Sequence, residues 1–527
     1  MKSAPVIILG AGPAGLTAAL ELLRSGKHKV IIVELENQVG GLARTIVYKG
    51  NRMDIGGHRF FSKSAQVMKW WLDILPLQGK SDKKDFSSSS QEYNRDEDVI
   101  HGPDPEREDR VMLIRRRLSR IFYLRKFFDY PISLKYSTIK KLGILRVVKM
   151  GIGYIRVCFF PIKSEKNLED FFINRFGREL YKTFFRDYTQ KVWGVPCSDI
   201  SQEWGAQRIK GISIARVLRH AIRKIFQSDK TIEQKNTDTS LIEQFLYPKF
   251  GPGHLWETVA KEATSLGATL LLNHKVVGLD IESSQVTAVY IENRSNGEQS
   301  RIDCSAVISS IPLKELVEMC KNAPSSVQEI SRGLVYRDFI TVGLLVKNLR
   351  LRDDEHDSGS SHSVSIKDNW IYIQEPDVFI GRVQIFNNWS PYLISDPQKV
   401  WLGLEYFANE GDHLWSMSDD SFKQMAIQEL ISLGFITSSD VEDVTLLRVK
   451  KAYPAYFGTY TRIAEVQKFL DSIENIYPIG RNGMHRYNNM DHSMLAAMQA
   501  VKCLMDPSID KSTLWNINIE KEYHETN

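Results

Sequence analysis

The chain has 527 residues, of which 43% are hydrophobic, 10% aromatic and 25% charged; these proportions belong to a globular protein and exclude collagen-like, low-complexity and disulfide-scaffold chains. At roughly 150 residues per domain, the length predicts three to four domains or one large enzyme with insertions. Lys and Arg number 69 against 64 Asp and Glu, and the net charge of +5 supports a mild affinity for anions but no nucleic-acid partner.

Residues 3–20 carry no charge and follow Lys2, a pattern shared with signal peptides and short membrane spans. The glycines argue against both. The run VIILGAGPAGLTAALELL reads as a β-branched strand, then Gly10, Gly12 and Gly15, then a helix that continues past Glu21. Strand, tight turn and helix form the context of a dinucleotide-binding fingerprint. Gly10 would make the turn, Gly12 with Ala14 beside it would admit a pyrophosphate, and Gly15 would let helix pack on strand. A second strand, KVIIVE, ends at Glu34, where a carboxylate can accept ribose hydroxyls. ENQVGGLART follows, with Gly41, Leu42 and Arg44, and then DIGGHRFFS, where Gly56 and Gly57 precede His58. A glycine pair of this kind lets the backbone approach something flat or bulky.

Residues 80–110 hold ten acids, six bases and a serine run at 87–90 without apolar period, and read as a solvated insertion. Next, VMLIRRRLSRIFYLRKFFDYP alternates Arg115, Arg116, Arg117, Arg120, Arg125 and Lys126 with β-formers, predicting the exposed basic face of a hairpin. A helical pattern runs from 133 to 227. Within it, GIGYIRVCFFPI is too broken by Arg156 and Pro161 to span a bilayer, and core packing is expected, with contact at a membrane surface as the alternative. Polar stretches at 228–240 and 353–363 read as loops. NHKVVGLDIES, QVTAVYIEN and SAVISSIP read as strands. There is no internal repeat. The five cysteines, Cys158, Cys197, Cys304, Cys320 and Cys503, contain no C-x-x-C pair, so a disulfide framework or zinc site is not expected and a reducing, cytoplasmic setting fits.

DYTQKVWGVP, EWGAQRI, YPKFGPGHLWETVA, WIYIQEPDVFIGRVQIFNNWSPY, KKAYPAYF and GRNGMHRYNNMDHSM occur in the order of the motifs of UDP-galactopyranose mutases. With ENQVGGLART, the chain resembles that family within the FAD-dependent amine oxidase superfamily, most nearly its longer eukaryotic-type members, over most of its length outside 80–110. The resemblance implies an α/β fold: a Rossmann-like, glutathione-reductase-type FAD-binding domain with an inserted helical domain and an antiparallel β-sheet substrate domain. The FAD-binding domain would comprise 1–78, 241–312 and 471–527, with a polar insertion at 79–110. The helical domain would be 133–240, and the sheet domain 111–132 and 313–470. FAD is implied in preference to NAD, with NADPH or NADH as candidate reductant and the backbone of Val277 at the adenine end.

A nucleotide-sugar diphosphate needs arginines in bidentate reach and phenols or amides as donors. Arg382 and Arg481 lie in apolar or glycine-rich contexts, where each either has a carboxylate partner or awaits an anion. Tyr372, Tyr453, Tyr487 and Asn489 are candidate donors, and Trp193 is either a stacking face or core. The resemblance implies that His58 and Gly57 lie beside the isoalloxazine, and that Gly480, Arg481, Asn489 and the helix start at Asp491 to Ser493 face the flavin. It further implies reduced FAD acting through N5 as a covalent nucleophile at the anomeric carbon of a UDP-linked sugar, in cell-surface polysaccharide synthesis. An FAD oxidoreductase of the amine oxidase type, an oxidase or desaturase acting on a lipid or glycan precursor, is the alternative. No metal-ligand cluster is apparent. Two departures stand out: the glycine-rich loop reads FGPGHLW, and the segment between Arg486 and Asp491 is short, so Asn489 is matched by position.

Overall fold

The computed structural model describes residues 4–79, 102–130, 132, 136–202, 244–351 and 366–517. Val6–Leu9 is fully buried and sits in the middle of a five-stranded parallel sheet, as a continuous β-branched run flanked on both faces must. The strand order is Ile476–Pro478, Ala306–Ser309, Val6–Leu9, Val30–Val33, Thr269–Leu271. Val6 pairs with Ala306 on one side and Val30 on the other. Helix Pro13–Arg24 begins on Gly12 with proline in its first turn, where the missing N–H costs nothing. It buries Leu16, Ala18, Ala19 and Leu20 against helices Pro252–Ser265 and Met490–Met505.

An antiparallel meander, His274–Glu282, Gln285–Asn293 and Gln299–Asp303, adjoins this sheet. Its register shifts between Val276 and Gly278, so Val277 is a bulge whose backbone leaves the ladder. Helices Leu313–Met319, Ser325–Arg332 and Ile463–Asp471 add Leu316, Val317, Ile330, Val466 and Leu470 to the parallel-sheet core.

The second large sheet has seven strands in the order Val441–Pro454, Tyr336–Val346, Val400–Ala408, Arg382–Ile385, Trp370–Ile373, Ser119–Tyr123, Lys126–Asp129. It is antiparallel except where Trp370–Ile373 runs parallel to Ser119–Tyr123. The basic run is not one exposed hairpin face. Met112–Arg116 pairs with Gln244–Pro248 instead, and the hairpin is Ser119–Tyr123 with Lys126–Asp129. Arg120 is buried on the carboxylate of Asp368 at 2.7 and 3.0 Å, and Arg115 donates to the Asn388 carbonyl. Alternation with β-formers predicts solvent exposure, but neutralisation by a residue 248 positions away lets arginine face inward.

Helices Tyr136–Leu142, Ile144–Phe159, Leu168–Phe176, Arg178–Tyr181 and Asp187–Trp193 build the helical layer. Core packing fails for one face of Ile144–Phe159: Met150 is buried but Ile152, Ile155, Phe159 and Phe160 are exposed. The helix forms the outer layer over the hairpin, so among the described residues one side alone finds a partner. Among the described residues no helix is long and apolar enough to cross a membrane. The predicted loops at 228–240 and 353–363, the 80–101 part of the insertion and EWGAQRI lie outside the described residues.

A Cβ on Gly15 would stand 1.9 Å from the Gly10 carbonyl oxygen. Gly15→Ala is therefore expected to lower stability by about 1–3 kcal/mol, measured as a shift in the denaturant midpoint at constant slope.

Candidate active site

Two glycine turns meet at the carboxyl ends of the parallel strands. Gly10 has φ 96°, a conformation open to glycine. A Cβ on Gly41 would lie 3.1 Å from the Gly12 Cα, and this close approach lets Gly40 N–H donate to Ala11 O at 2.8 Å. Glu34 is buried and accepts from the amides of Ala11 at 2.6 Å and Glu36 at 2.9 Å. Burial raises its pKa against those two bonds. The carboxylate thus ties the second strand to the glycine turn, with one bond on each oxygen. Arg44 donates to Gly41 O at 3.0 Å; burial lowers its pKa, while Glu36 and Glu34 oppose that shift. Gly480, at φ 75°, packs on Ala14, and Ser493 donates to Asn488 Oδ1 at 3.0 Å.

These residues fit an FAD. Gly12 caps its helix without a side-chain hydrogen bond, which leaves first-turn amides for a pyrophosphate. Val277 sits at the bulge, out of the strand register. The buried Ser309 Oγ and Asn482 Oδ1 lack hydrogen-bond partners among the described residues, as groups awaiting a ligand do.

His58 Nε2 lies 2.9 Å from the carbonyls of both Leu42 and Ile55, so this nitrogen carries the proton and Nδ1 is the acceptor. Burial and the nearby Arg481 push its pKa down to about 4, leaving it neutral at physiological pH. Ahead of it, Asp54 accepts from Thr45 Oγ1 at 2.9 Å and from Tyr247. Burial pushes the Asp54 pKa up to about 7, against both bonds. Gly57 does meet something flat, but it is protein: a Cβ there would strike the Trp370 ring at 2.3 Å. Asp491 is buried and accepts from Ser62 Oγ at 2.8 Å. Burial opposes its ionisation, but His492 and Ser62 hold its pKa below the usual carboxylate range.

Beyond this wall lies a band of arginines among aromatic rings. Arg481 donates to Asn488 O at 2.7 and 3.1 Å and to Ala452 O at 3.2 Å. Its guanidinium lies 4.7 Å from the Tyr487 ring and 5.6 Å from Tyr453, and those two rings stack 5.7 Å apart at 7°. Burial lowers its pKa, opposed by Tyr453 and Tyr456. Arg382 has the carboxylate: its Nη1 is 3.0 Å from Glu405 and its Nε donates to Tyr188 at 2.6 Å. Burial disfavours its charge, yet Tyr188, Tyr453 and Glu405 hold the pKa well above normal. Trp370 carries Arg382 at 5.0 Å on its ring and Arg59 at 6.0 Å. Arg59 Nη1 is buried without a hydrogen-bond partner among the described residues. Nearby, burial and Arg59 push the Arg117 pKa down to about 10. Tyr372 completes the wall, 5.7 Å from Tyr188 and 4.8 Å from Tyr130.

The structure therefore brings together Tyr372, Arg382, Tyr453, Arg481 and Tyr487, with His58 beside Arg481. Two expected residues stand apart. Trp193, 2% exposed, is packed edge-on to Tyr453 in the apolar core and has no open face for stacking. Asn489 is exposed and caps helix Met490–Met505, because the chain turns one residue earlier; Asn488 is the buried amide next to Arg481. Sequence reasoning missed Arg59, Tyr188, Trp370 and Glu405. Arg59 adjoins His58 in DIGGHRFFS, a signal within reach; Glu405 had none.

The fold and site define an enzyme built on two large sheets, with a dinucleotide cradle facing an arginine-lined, aromatic-walled site. The chain belongs to the flavin containing amine oxidoreductase family, whose profile matches residues 13–482, and FAD follows from that membership. Among solved structures, reduced UDP-galactopyranose mutase is similar at a TM-score of 0.74 and 22% identity, covering 98% of this chain and 99% of that one. A putative protoporphyrinogen oxidase from Exiguobacterium sp. 255-15 gives 0.63 and 15%, covering 99% and 100%. Putrescine oxidase bound to putrescine gives 0.57 and 14%, covering 95% and 99%. At these identities the likeness is one of fold. A 51-residue stretch is 49% identical to the inactive all-trans-retinol 13,14-reductase of Danio rerio, over 10% of this chain and 8% of that protein.

Arg382→Ala is expected to destabilise by about 3–5 kcal/mol by stranding the Glu405 carboxylate, whereas Arg382→Met combined with Glu405→Leu should cost far less. Urea unfolding of the two variants checks this.

Proposed function

We propose that this protein is an FAD-dependent mutase that interconverts the pyranose and furanose forms of a UDP-linked sugar. One observation carries the reading. Arg59 and Arg481 sit among aromatic rings with no acid paired to either among the described residues, so the site holds positive charge that a diphosphate would neutralise. The same charge would repel the cationic amine that an amine oxidase must bind.

The reduced cofactor would supply a nucleophilic N5 for the anomeric carbon. Arg481 and Arg59 would bind the diphosphate and stabilise the charge that develops on it as a leaving group. Arg382, fixed by Glu405 and Tyr188, keeps Nη2 without a hydrogen bond to the described residues and would orient the sugar phosphate. Tyr453 and Tyr487 would wall the sugar and exclude water, with Tyr372 a further donor. His58, neutral and anchored through Nε2, would hold its ring against the cofactor and present Nδ1 as an acceptor. Asp491, at the start of the last helix, and Ser493 would border the cofactor ring.

Family membership favours a second reading, an FAD oxidoreductase, and one assay separates the two. Dithionite-reduced protein is expected to isomerise UDP-galactose or a related nucleotide sugar without losing reducing equivalents, and oxidised protein is not. Stoichiometric reduction of the flavin by the substrate would establish the oxidoreductase instead.

Arg59→Ala and Arg481→Ala are each expected to weaken UDP binding by about 1.5–3 kcal/mol while the flavin stays bound, read by calorimetry and visible absorbance. Parental UDP affinity in both variants would remove the anion site from these residues.

A further inference from the structure

Helix Ile144–Phe159 has an apolar face that no described residue covers. Ile144 is 69% exposed, Leu145 78%, Ile152 62% and Phe159 75%, with Val148 and Ile155 also more than half exposed. At about 100° per residue, these six positions fall within one arc of about 100°, so they form a single stripe along the helix. Met150 and Val147 lie on the other side and pack against Ile121, Phe128 and Phe184. Arg146, Lys149 and Arg156 occupy the sector between stripe and packed face. Phe160, 78% exposed, and Tyr136, 81% exposed, extend the apolar surface at either end.

Charge identifies what covers this surface. Residues 130–164 contain seven Lys and Arg and no Asp or Glu, although the whole chain is nearly balanced. A groove-seeking protein partner or a second copy of this chain would have to bring its own acids to the bases that flank the stripe. An anionic bilayer offers both the negative surface and the apolar interior. The 16 residues of the helix are too few to span a bilayer but suit a helix lying in the interface.

We propose that helix Ile144–Phe159 docks the protein onto anionic lipid surfaces, with its apolar stripe sunk about 5–10 Å into the headgroup boundary and Lys140, Lys141, Arg146, Lys149, Arg156 and Lys163 on lipid headgroups. The inner side of the same layer reaches Tyr130 and Tyr372, so docking places the bilayer next to the arginine-lined wall. This inference is independent of the reaction catalysed.

The test is flotation of the flavin-loaded full chain with vesicles of phosphatidylglycerol and phosphatidylcholine in equal parts, against phosphatidylcholine alone. Binding to the mixed vesicles is expected, weakened by salt and at least roughly tenfold stronger than to the neutral ones. Leu145→Glu with Ile152→Glu, both at exposed sites, should abolish it while melting temperature and flavin absorbance stay parental. Failure of the parent to float with the mixed vesicles, or undiminished flotation of the double variant, would overturn the proposal. So would light scattering that shows a dimer which the double variant dissociates, since the stripe would then be an interface between copies.

Discussion

The close approach of two backbones is the constraint on which the rest depends. Gly10 and Gly15 touch across the first turn, and Gly12 meets Gly41, so the first helix starts directly on the strand ends and the second glycine turn closes over it. Glu34 locks the arrangement by accepting from Ala11. From there each functional element is set by a short tether: Leu42 receives His58, Gly480 packs on Ala14, and Arg481 next to Gly480 is carried into the site. A side chain larger than hydrogen at these contacts would move the cradle and the arginine together.

Charge management explains the opposite wall. Arg120 and Arg382 are each matched to a buried acid, Asp368 and Glu405, so their charge is already balanced within the protein. Arg481 is satisfied by carbonyls and ring faces, which fix its geometry but leave its charge. The contrast matters because burying a guanidinium without a countercharge is costly, and such a cost persists where a ligand supplies the missing anion. Neutral His58 adds no charge of its own next to this arginine.

What was legible in the sequence was local. The strand Val6–Leu9, its glycines and Glu34 announce themselves because turn chemistry and periodicity act over a few residues. The convergence of Tyr372, Arg382, Tyr453 and Arg481 was accessible through the order of motifs. Pairings between distant residues were not: nothing near Arg120 points to Asp368, nor near Gly57 to Trp370. Asn488 and Asn489 differ by one position on an irregular turn, where no period tells which side chain points inward. The stripe on Ile144–Phe159 defeated the reading for another reason, since an apolar helical face looks the same whether protein or something else will cover it.

The parallel sheet is closed by Ile476–Pro478, which pairs with Ala306–Ser309, itself beside Val6–Leu9. The sheet thus draws strands from both ends and the middle of the chain, and during synthesis the first strand finds Val30–Val33 early but waits for Ala306–Ser309, hundreds of residues away. Until the last of them leaves the ribosome, Ala306–Ser309 has an open edge of unpaired backbone groups, set among apolar side chains, of the kind that recruits other nascent chains. High contact order of this sort makes folding slow. Biogenesis of this protein is therefore governed by how well that edge is shielded in the interval, a demand on cellular folding assistance that the finished molecule no longer displays.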